Sequence, residues 1–519
     1  MRHSVVLEYQ KCRGCTTCIK NCPTEAIRVR NGKATILPNR CIDCGTCLRV
    51  CPHHAVTSVP DSFNALQNYQ YTVAVPDPAL YGQFHNLDGP NLVLASLLEL
   101  GFDSVYESAA GAELLTGYLC GRPDAPDRPV PEISSACPAV VRLIQIRFPS
   151  LLGHICPLLL PGELAAILAR EQAVAETGLS PQEIGVFSIV PCSSLVTSAS
   201  SPDGQIAPVL DGAFAIRDVY KALLPVMSRL AGQPLPQLSL AGRGGVGWAF
   251  SGGESYAHRA QRYVAVDGIE NVIRMLEEIE DGRLPEADFI ELRACTEGCL
   301  GGCFCVENPF IARMRMKRLM GDLPEARSVY RPGSRVDELI ASTQKPEYYP
   351  TFLLDPDRRV AMEKMRKIQE LEEQLPGLRC GSCGAPSWSW GEPARTTASS
   401  RCGNVCSIWP VGMTPMNTFP LPSGAGGASP RTLHPRADWP IQKGCVFRDH
   451  CAGTHPRPGP DGIPPGGRRP DGVRRLLLRR PAQLGHGPGP RRWGVADHYE
   501  QRQCSGSSYP HRPGLRHPH

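Results

Sequence analysis

The fold of the N-terminal part of this chain is decided by residues 12–23, which read CRGCTTCIKNCP. Residues 41–52 read CIDCGTCLRVCP, so the pattern C-x2-C-x2-C-x3-C-P returns after 29 residues and marks an internal duplication. Three thiolates at this spacing can wrap one [4Fe–4S] cubane, and the fourth, at the start of a helix, ligates a second cubane. A zinc site is the alternative, but zinc motifs pair two C-x-x-C halves across a long gap. The pattern therefore favours two cubanes.

The eight cysteines divide into two crossed sets. We assign one cluster to Cys12, Cys15, Cys18 and Cys51, and the other to Cys41, Cys44, Cys47 and Cys22. Between the two runs, residues 26–30 and 34–37 alternate in polarity around Asn31-Gly32, which predicts a β-hairpin. Residues 1–60 are therefore predicted to form an α+β ferredoxin-like module for electron transfer.

Length and cysteine count limit what the rest of the chain can be. The chain has 519 residues, enough for several domains, and its 23 cysteines are an odd number, which argues against a complete disulfide framework. The first cluster ligand comes so early that no room is left for a secretory signal, and no run of about 18 apolar residues predicts a membrane span. These features lead us to expect a cytoplasmic protein.

The net charge of +5 hides an uneven distribution. Residues 401–519 hold 17 of the 55 basic side chains and 6 of the 50 acidic ones, so the body of the protein is mildly acidic. An acidic body argues against nucleic-acid binding there.

From about residue 70 to residue 350, the sequence predicts an α/β domain. Apolar runs such as residues 184–190 alternate with helical stretches such as residues 268–280. Four cysteines stand in three short contexts, which are ISSACPAV around Cys137, VPC ending at Cys192, and ELRACTEGCLGG around Cys295 and Cys299. Four soft thiolates suit a further cubane, and the C-x3-C pair in a glycine-rich loop allows the backbone to close over it.

These three motifs, in this order, resemble those of the large subunit of the [FeFe]-hydrogenases, in the branch whose members are proposed to be sensory. The resemblance covers roughly residues 1–387. It implies that Cys137, Cys192, Cys295 and Cys299 hold a [4Fe–4S] cubane, and that Cys299 bridges it to a di-iron subsite carrying CO, CN⁻ and a dithiolate. Cys299 is accordingly the one candidate for a catalytic role.

Three departures from the metabolic members of that family concern the di-iron subsite. Ala136 stands where those enzymes have a proton-relaying cysteine, and Leu195 stands where they have a lysine that hydrogen-bonds a cyanide ligand. A methionine packed over the subsite is replaced near Pro161-Gly162. Because general acid–base help typically contributes a factor of about 10² to 10⁴, these departures predict slow or absent hydrogen turnover.

The C-terminal quarter departs from a folded pattern. Residues 355–376 are predicted to form a connector helix, with a dimer seam through residues 355–371. Residues 377–387 resemble the start of a four-cysteine cluster domain, of which Cys380 and Cys383 remain, but Trp388 stands at the third ligand position. Residues 388–519 are predicted to be disordered, either as a basic tail or, as we favour, as the product of a shifted reading frame.

Three functions fit these motifs. The favoured hypothesis is an iron–sulfur electron-transfer protein with a hydrogenase-like domain that senses redox state or H₂ with little turnover. The alternatives are an active [FeFe]-hydrogenase, 2 H⁺ + 2 e⁻ ⇌ H₂, and a non-catalytic carrier that holds only cubanes. The expected partners are a redox protein or ferredoxin and, if the di-iron subsite is made, the hydrogenase maturation proteins.

Overall fold

The computed structural model describes residues 3–122, 129–202, 207–259, 261–284, 286–350 and 355–373. Cys380, Cys383 and the predictions for residues 377–387 and 388–519 lie outside the described residues. Within the described part, no helix is both long enough and apolar enough to cross a bilayer.

The N-terminal module consists of short elements around its cysteines. In chain order they are β1 (Val5–Leu7), α1 (Thr17–Lys20), β2 (Ile27–Arg30), β3 (Lys33–Ile36), α2 (Thr46–Val50) and β4 (Val56–Ser58). Strand β1 pairs antiparallel with β4, and β2 pairs antiparallel with β3. Asn31 and Gly32 have φ of 52° and 70°, the left-handed pair that a two-residue hairpin turn needs. The predicted hairpin is confirmed.

The duplication seen in the sequence extends to the backbone of the module. Left-handed residues occur at Gly14, Thr16 and Glu25 in the first repeat, and 29 residues later at Asp43, Gly45 and His54 in the second. Because non-glycine residues rarely adopt positive φ, this recurrence shows that the two repeats fold alike and not merely that their cysteines share a spacing.

Two parallel sheets form the framework of residues 71–293. The first contains β5 (Tyr71–Pro76), β6 (Ser104–Val105), β8 (Ile184–Val190) and β9 (Gly212–Ala215), in the order β6-β5-β8-β9. The second contains β7 (Glu132–Ile133), β10 (Tyr263–Asp267) and β11 (Phe289–Arg293), in the order β10-β11-β7. Strands β8, β9 and β11 are buried at every position, and for β8 and β9 this burial explains their largely apolar sequences. The predicted α/β character is confirmed.

Helices connect and cover these strands. They are α3 (Asn91–Glu99), α4 (Ser108–Gly121), α5 (Pro138–Arg147), α6 (Pro161–Thr177), α7 (Ser193–Ser200), α8 (Ile216–Leu230), α9 (Arg243–Val246), α10 (Gly253–Ala257), α11 (Ile269–Glu280), α12 (Pro309–Gly321), α13 (Arg335–Ala341) and α14 (Arg358–Glu373). A core that includes Leu94, Phe187, Phe214 and Leu223 packs against the first sheet. A separate core around Val140, Leu143 and Ile290 packs against the second.

Two stretches have local structure that their sequence does not indicate. Residues 213–230 have one apolar pattern, but the structure ends β9 at Ala215 and starts α8 at Ile216. The glycine-rich residues 242–247 contain α9, and the Glu113 carboxylate accepts the N–H groups of Gly242 and Gly245 at 2.7 and 3.3 Å. A tertiary partner of this kind leaves no local signal in the sequence.

Helix α14 lies within the predicted connector and runs from Arg358 to Glu373. Val360, Met362 and Met365 are exposed on it. The dimer seam stays a prediction.

Candidate functional site

The module surrounds two cavities of about 330 Å³ each, and each is lined by one of the predicted cysteine sets. Cys12, Cys15, Cys18 and Cys51 line the first cavity. Cys22, Cys41, Cys44 and Cys47 line the second. In each cavity, the structure therefore brings together the first three cysteines of one run and the last cysteine of the other run.

Backbone N–H groups point at several of these sulfur atoms. Ala26 donates to Cys22 Sγ at 3.2 Å, and Ala55, its counterpart in the second repeat, donates to Cys51 Sγ at 3.3 Å. Ala34 donates to Cys12 Sγ at 3.3 Å. Hydrogen bonds of this kind favour the negatively charged form of sulfur, which is the form that ligates iron.

The four cysteines of the α/β domain lie at or just after the carboxyl ends of parallel strands. Cys192 precedes α7 and follows β8, and Cys137 precedes α5 and follows β7. Cys295 follows β11, and Cys299 lies in the 3-10 turn Gly298–Gly301. In open parallel sheets this edge is where ligands bind.

Electrostatic coupling shows that these cysteines converge. Burial, followed by negative charge on Cys295, Cys303 and Cys299, raises the pKa of the Cys192 thiol well above its usual range. Burial is also the main cause that raises the pKa of Cys295 to about 12, and Cys137 adds to that shift. Thiolates placed this close together would be stabilised by a bound cation, and an iron cluster provides such a charge.

Cys303, a few residues after Cys299, lies at the contact between the module and the α/β domain. A Cβ atom at Gly45, which has a φ of 74°, would meet Cys303 Sγ at 2.6 Å, so only glycine fits there. Ser193 Oγ lies 3.6 Å from the same sulfur atom. Cys303 therefore packs against the second repeat while facing the converging thiols.

The second cavity of the module adjoins the converging thiols. Cys44 belongs to the same apolar core as Ala294, the residue before Cys295. Arg49 donates from Nη1 to the carbonyl oxygen of Gly301 at 2.9 Å, and Ser193 Oγ donates to the carbonyl of Asp43 at 2.6 Å. These contacts connect the second cysteine set to the loop that carries Cys299.

A larger cavity, of about 690 Å³, lies on the other side of Cys299 and is called the Cys299 cavity below. Its wall includes Ala136, Leu195 and the pair Pro161 and Gly162. The three positions at which the sequence departs from the metabolic hydrogenases thus line one space, although they lie far apart in the chain.

Arg293 carries positive charge into the wall of the Cys299 cavity. Its Nη2 donates to Glu254 at 3.0 Å and its Nε donates to Glu291 at 3.2 Å, and all three side chains are buried. Burial opposes the charged form of Arg293, but Glu291 and Glu254 together raise its pKa above the usual value. Burial raises the pKa of Glu254 to about 7, and Ser134 Oγ donates to its carboxylate.

Asp77 adds a carboxyl group to the wall of the Cys299 cavity. Burial raises its pKa to about 6, and the N–H of Ala79 donates to it at 2.8 Å.

Arg293 and its partners Glu291 and Glu254 were not predicted from the sequence. A signal was available in FIELR, residues 289–293, because two charged residues inside a buried strand need partners. Their partner Glu254 had no such signal, since it lies 39 residues away on α10.

Comparisons with known proteins agree with this geometry. Residues 70–219 and 198–303 match the profile of the iron-only hydrogenase large subunit, C-terminal domain, and residues 11–56 match a 4Fe-4S dicluster domain. Two stretches of the chain are thus similar to known iron–sulfur domains, the second of them to the hydrogenase large subunit.

The chain is similar to several individual proteins. It is 29% identical over 209 residues to the periplasmic [Fe] hydrogenase large subunit of Nitratidesulfovibrio vulgaris, covering 37% of this chain and 50% of that protein. It is 23% identical over 232 residues to the cytosolic Fe-S cluster assembly factor narfl of Danio rerio, covering 34% and 55%. An [FeFe]-hydrogenase structure from Chlamydomonas reinhardtii aligns at 16% identity with a TM-score of 0.41, covering 55% of this chain and 95% of that one. The chain spans about half the length of the two curated relatives.

Proposed function

We propose that this protein passes electrons through two [4Fe–4S] clusters to a third cubane in a hydrogenase-like domain, and that it senses redox state or H₂ with little turnover. The observation that carries this proposal is the Cys299 cavity, which adjoins the converging cysteines and is lined by Ala136 and Leu195.

The proposed ligands follow the cavities. Cys12, Cys15, Cys18 and Cys51 hold the first cluster, Cys22, Cys41, Cys44 and Cys47 the second, and Cys137, Cys192, Cys295 and Cys299 the third. Electrons enter from a redox partner at the first cluster and pass inward through the second. A cytoplasmic location remains a prediction.

The residues present fit a di-iron subsite in attachment and in surroundings. Cys299 lies in the wall of the Cys299 cavity and would hold such a subsite beside the cubane, and most of that wall is apolar. When bound, such a group supplies a place where H₂ and protons react. The hydrogenase maturation proteins are then required as partners.

The residues around the cavity do not provide the usual proton relay. Ala136 has a methyl group, which cannot carry a proton, and its N–H donates to Ser134 Oγ at 3.1 Å. Leu195 offers no hydrogen bond where a lysine would offer one. Low turnover with intact ligands is what a sensor requires, because a sensor must respond to its signal without consuming it.

The decisive experiment expresses the full chain with the hydrogenase maturation proteins and records its infrared spectrum. CO-sensitive bands from Fe–CO and Fe–CN⁻ are expected. If no such bands appear, the di-iron subsite is not made and the chain is a cubane carrier.

A hydrogen-evolution assay with reduced viologen then separates sensor from enzyme. We expect slow evolution by the wild type and an increase of about tenfold or more in Ala136→Cys, because a thiol restores a proton relay. Ala136→Ser is the matched control, since its hydroxyl does not ionise near neutral pH. Fast evolution by the wild type would identify a working hydrogenase instead.

A further inference from the structure

Two side chains in the wall of the Cys299 cavity have a hydrogen-bonding group for which no partner is found among the described residues. Ser188 belongs to β8, is 4% exposed, and its Oγ has no hydrogen-bond partner among the described residues. Leaving a buried hydroxyl without a partner is unfavourable, so its position in the wall indicates a ligand that completes it.

Arg293 is the second donor. Its Nε and Nη2 donate to Glu291 and Glu254, whereas no hydrogen bond from its Nη1 is found within the described part of the chain. The guanidinium is 4% exposed and lines the cavity. Because two carboxylates fix its orientation, Nη1 is presented at a defined place on the wall.

One oxygen of each acidic group in the same wall accepts a hydrogen bond from the backbone. Asp77 accepts the N–H of Ala79 at 2.8 Å, and Glu163 accepts the N–H of Leu160 at 3.0 Å. Most of the remaining wall is apolar, including Val75, Leu195 and Trp248. A ligand in this cavity therefore meets a small number of polar groups in an apolar surrounding, which makes each hydrogen bond strong.

We propose that Arg293 and Ser188 are the hydrogen-bond donors for a small anion held in the Cys299 cavity. Arg293 on β11 and Ser188 on β8 supply hydrogen bonds that the apolar side chain of Leu195, on α7, cannot supply. The anion has two conceivable sources with the same chemistry, a cyanide ligand of a di-iron subsite or a free anion. Only the first source rests on the function proposed above.

The first arm of the test uses the full chain made without maturation proteins, with its cubanes but no di-iron subsite. Thiocyanate is titrated into it by calorimetry. We expect binding to the wild type and a loss of affinity of about tenfold or more in Ser188→Ala, because a hydrogen bond to a charged ligand is removed. Arg293→Met is expected to lose more, and Arg293→Lys, which keeps the charge but not the fork, to recover part of the loss.

Ser198→Ala is the matched control. Ser198 lines the same cavity, but its Oγ already accepts a hydrogen bond from Arg142 at 3.0 Å. Its removal should leave thiocyanate affinity within about twofold of the wild type. If Arg293→Met does not fold, the comparison of Ser188→Ala with Ser198→Ala still decides the question.

The second arm uses the matured protein and its infrared spectrum. In Ser188→Ala or Arg293→Lys at least one cyanide band should move, whereas in Ser198→Ala none should. A matured protein without cyanide bands would end the di-iron part of the proposed function, and the thiocyanate arm would then decide this proposal alone. The proposal is overturned if thiocyanate does not bind and no cyanide band moves, or if Ser198→Ala has the same effect as Ser188→Ala.

Discussion

The two repeats of the N-terminal module have the same local structure and opposite surroundings. Cys15 Sγ lies 3.5 Å from Thr17 Oγ1, and its counterpart Cys44 Sγ lies 3.4 Å from Thr46 Oγ1. Nevertheless Cys15 is exposed and hydrogen bonding from Thr17 lowers its pKa, whereas Cys44 is 8% exposed and burial raises its pKa to about 11.

This difference shows that the duplicated sequence determines the local structure of each cysteine site but not how exposed the site is in the folded chain. The first cavity has Cys15 at the surface, where an electron donor can approach it. The second cavity is lined by Ile42 and Cys44, which pack in one apolar core with Ala294 of the α/β domain. In the proposed function, this asymmetry gives the electron path its direction, from the first cluster inward.

The strongest test of the comparison removes equivalent ligands. Cys15→Ala and Cys44→Ala should each lose about four iron atoms per chain, because each cysteine ligates one cubane. Cys44→Ala should also lower the apparent melting temperature by roughly 10 °C or more, since metal binding contributes folding free energy and this cysteine packs in a shared core. Cys15→Ala should lower it by about half as much or less. Equal losses of melting temperature would contradict the asymmetry.

A second test concerns charge. Asp43 stands where the first repeat has Gly14, and its fully buried carboxylate lies 2.6 Å from His3 Nδ1 and 3.9 Å from Arg142 Nη1. Asp43→Asn removes a negative charge beside the buried guanidinium of Arg142, so we expect a loss of about 3 kcal/mol in folding free energy, measured as a lower apparent melting temperature.

The control for this test is the double variant Asp43→Asn, Arg142→Met. Removing both charges should restore a large part of the lost stability, because the desolvation cost of Arg142 disappears with its charge. If the double variant is less stable than Asp43→Asn alone, the ion pair is not what holds this contact together.

The duplicated module also shows how far sequence reasoning reaches. The cysteine spacing and Asn31-Gly32 predicted the crossed cavities and the hairpin, because both depend on residues close together in the chain. The asymmetry between the repeats was not predictable. It depends on Arg142 and Ala294, which approach the second repeat only after the chain has folded, and no local pattern specifies such approaches.

The Cys299 cavity likewise shows which features can be predicted from the sequence and which cannot. A family resemblance identified the motifs around Cys137, Cys192, Cys295 and Cys299. That these cysteines come together at the carboxyl ends of parallel strands became clear only from the structure. The donor pair in its wall was missed altogether, because Ser188 has no distinguishing context within a buried strand.

A third test concerns the positive charge of Arg49, near the C-terminal end of the second repeat. Arg49 contacts Gly301 and lowers the pKa of both Cys44 and Cys295, although burial of those thiols outweighs it. Arg49→Gln should make the potentials of the second cluster and the third cubane more negative by roughly 30 mV at low salt, because a positive charge favours the reduced cluster.

The matched control is Lys20→Gln, at the equivalent position of the first repeat. Lys20 is exposed and contacts nothing in the α/β domain among the described residues. Its removal should leave both potentials in place, as followed by redox titration with electron paramagnetic resonance. Because Arg49 is itself exposed, its effect should shrink in high salt. An effect of Lys20→Gln on the third cubane would contradict the proposed direction of the path.

The smallest expected effect is a difference in the rate of iron loss. A chelator reaches a cluster through its most exposed ligand, and Cys15 is exposed whereas every cysteine of the second cavity is buried or partly buried. Anaerobic treatment with an iron chelator should therefore release iron in two phases, of which the first contains about four iron atoms.

The two phases can be assigned with the ligand variants. Cys15→Ala should lack the fast phase and keep the slow one, because only the exposed cluster is missing, and Cys44→Ala should keep the fast phase. A single phase in the wild type, or a fast phase that survives Cys15→Ala, would mean that access does not distinguish the repeats. In that case the enclosure of the second cavity would protect its potential but not its iron, and the entry point for electrons would have to be sought elsewhere on the module.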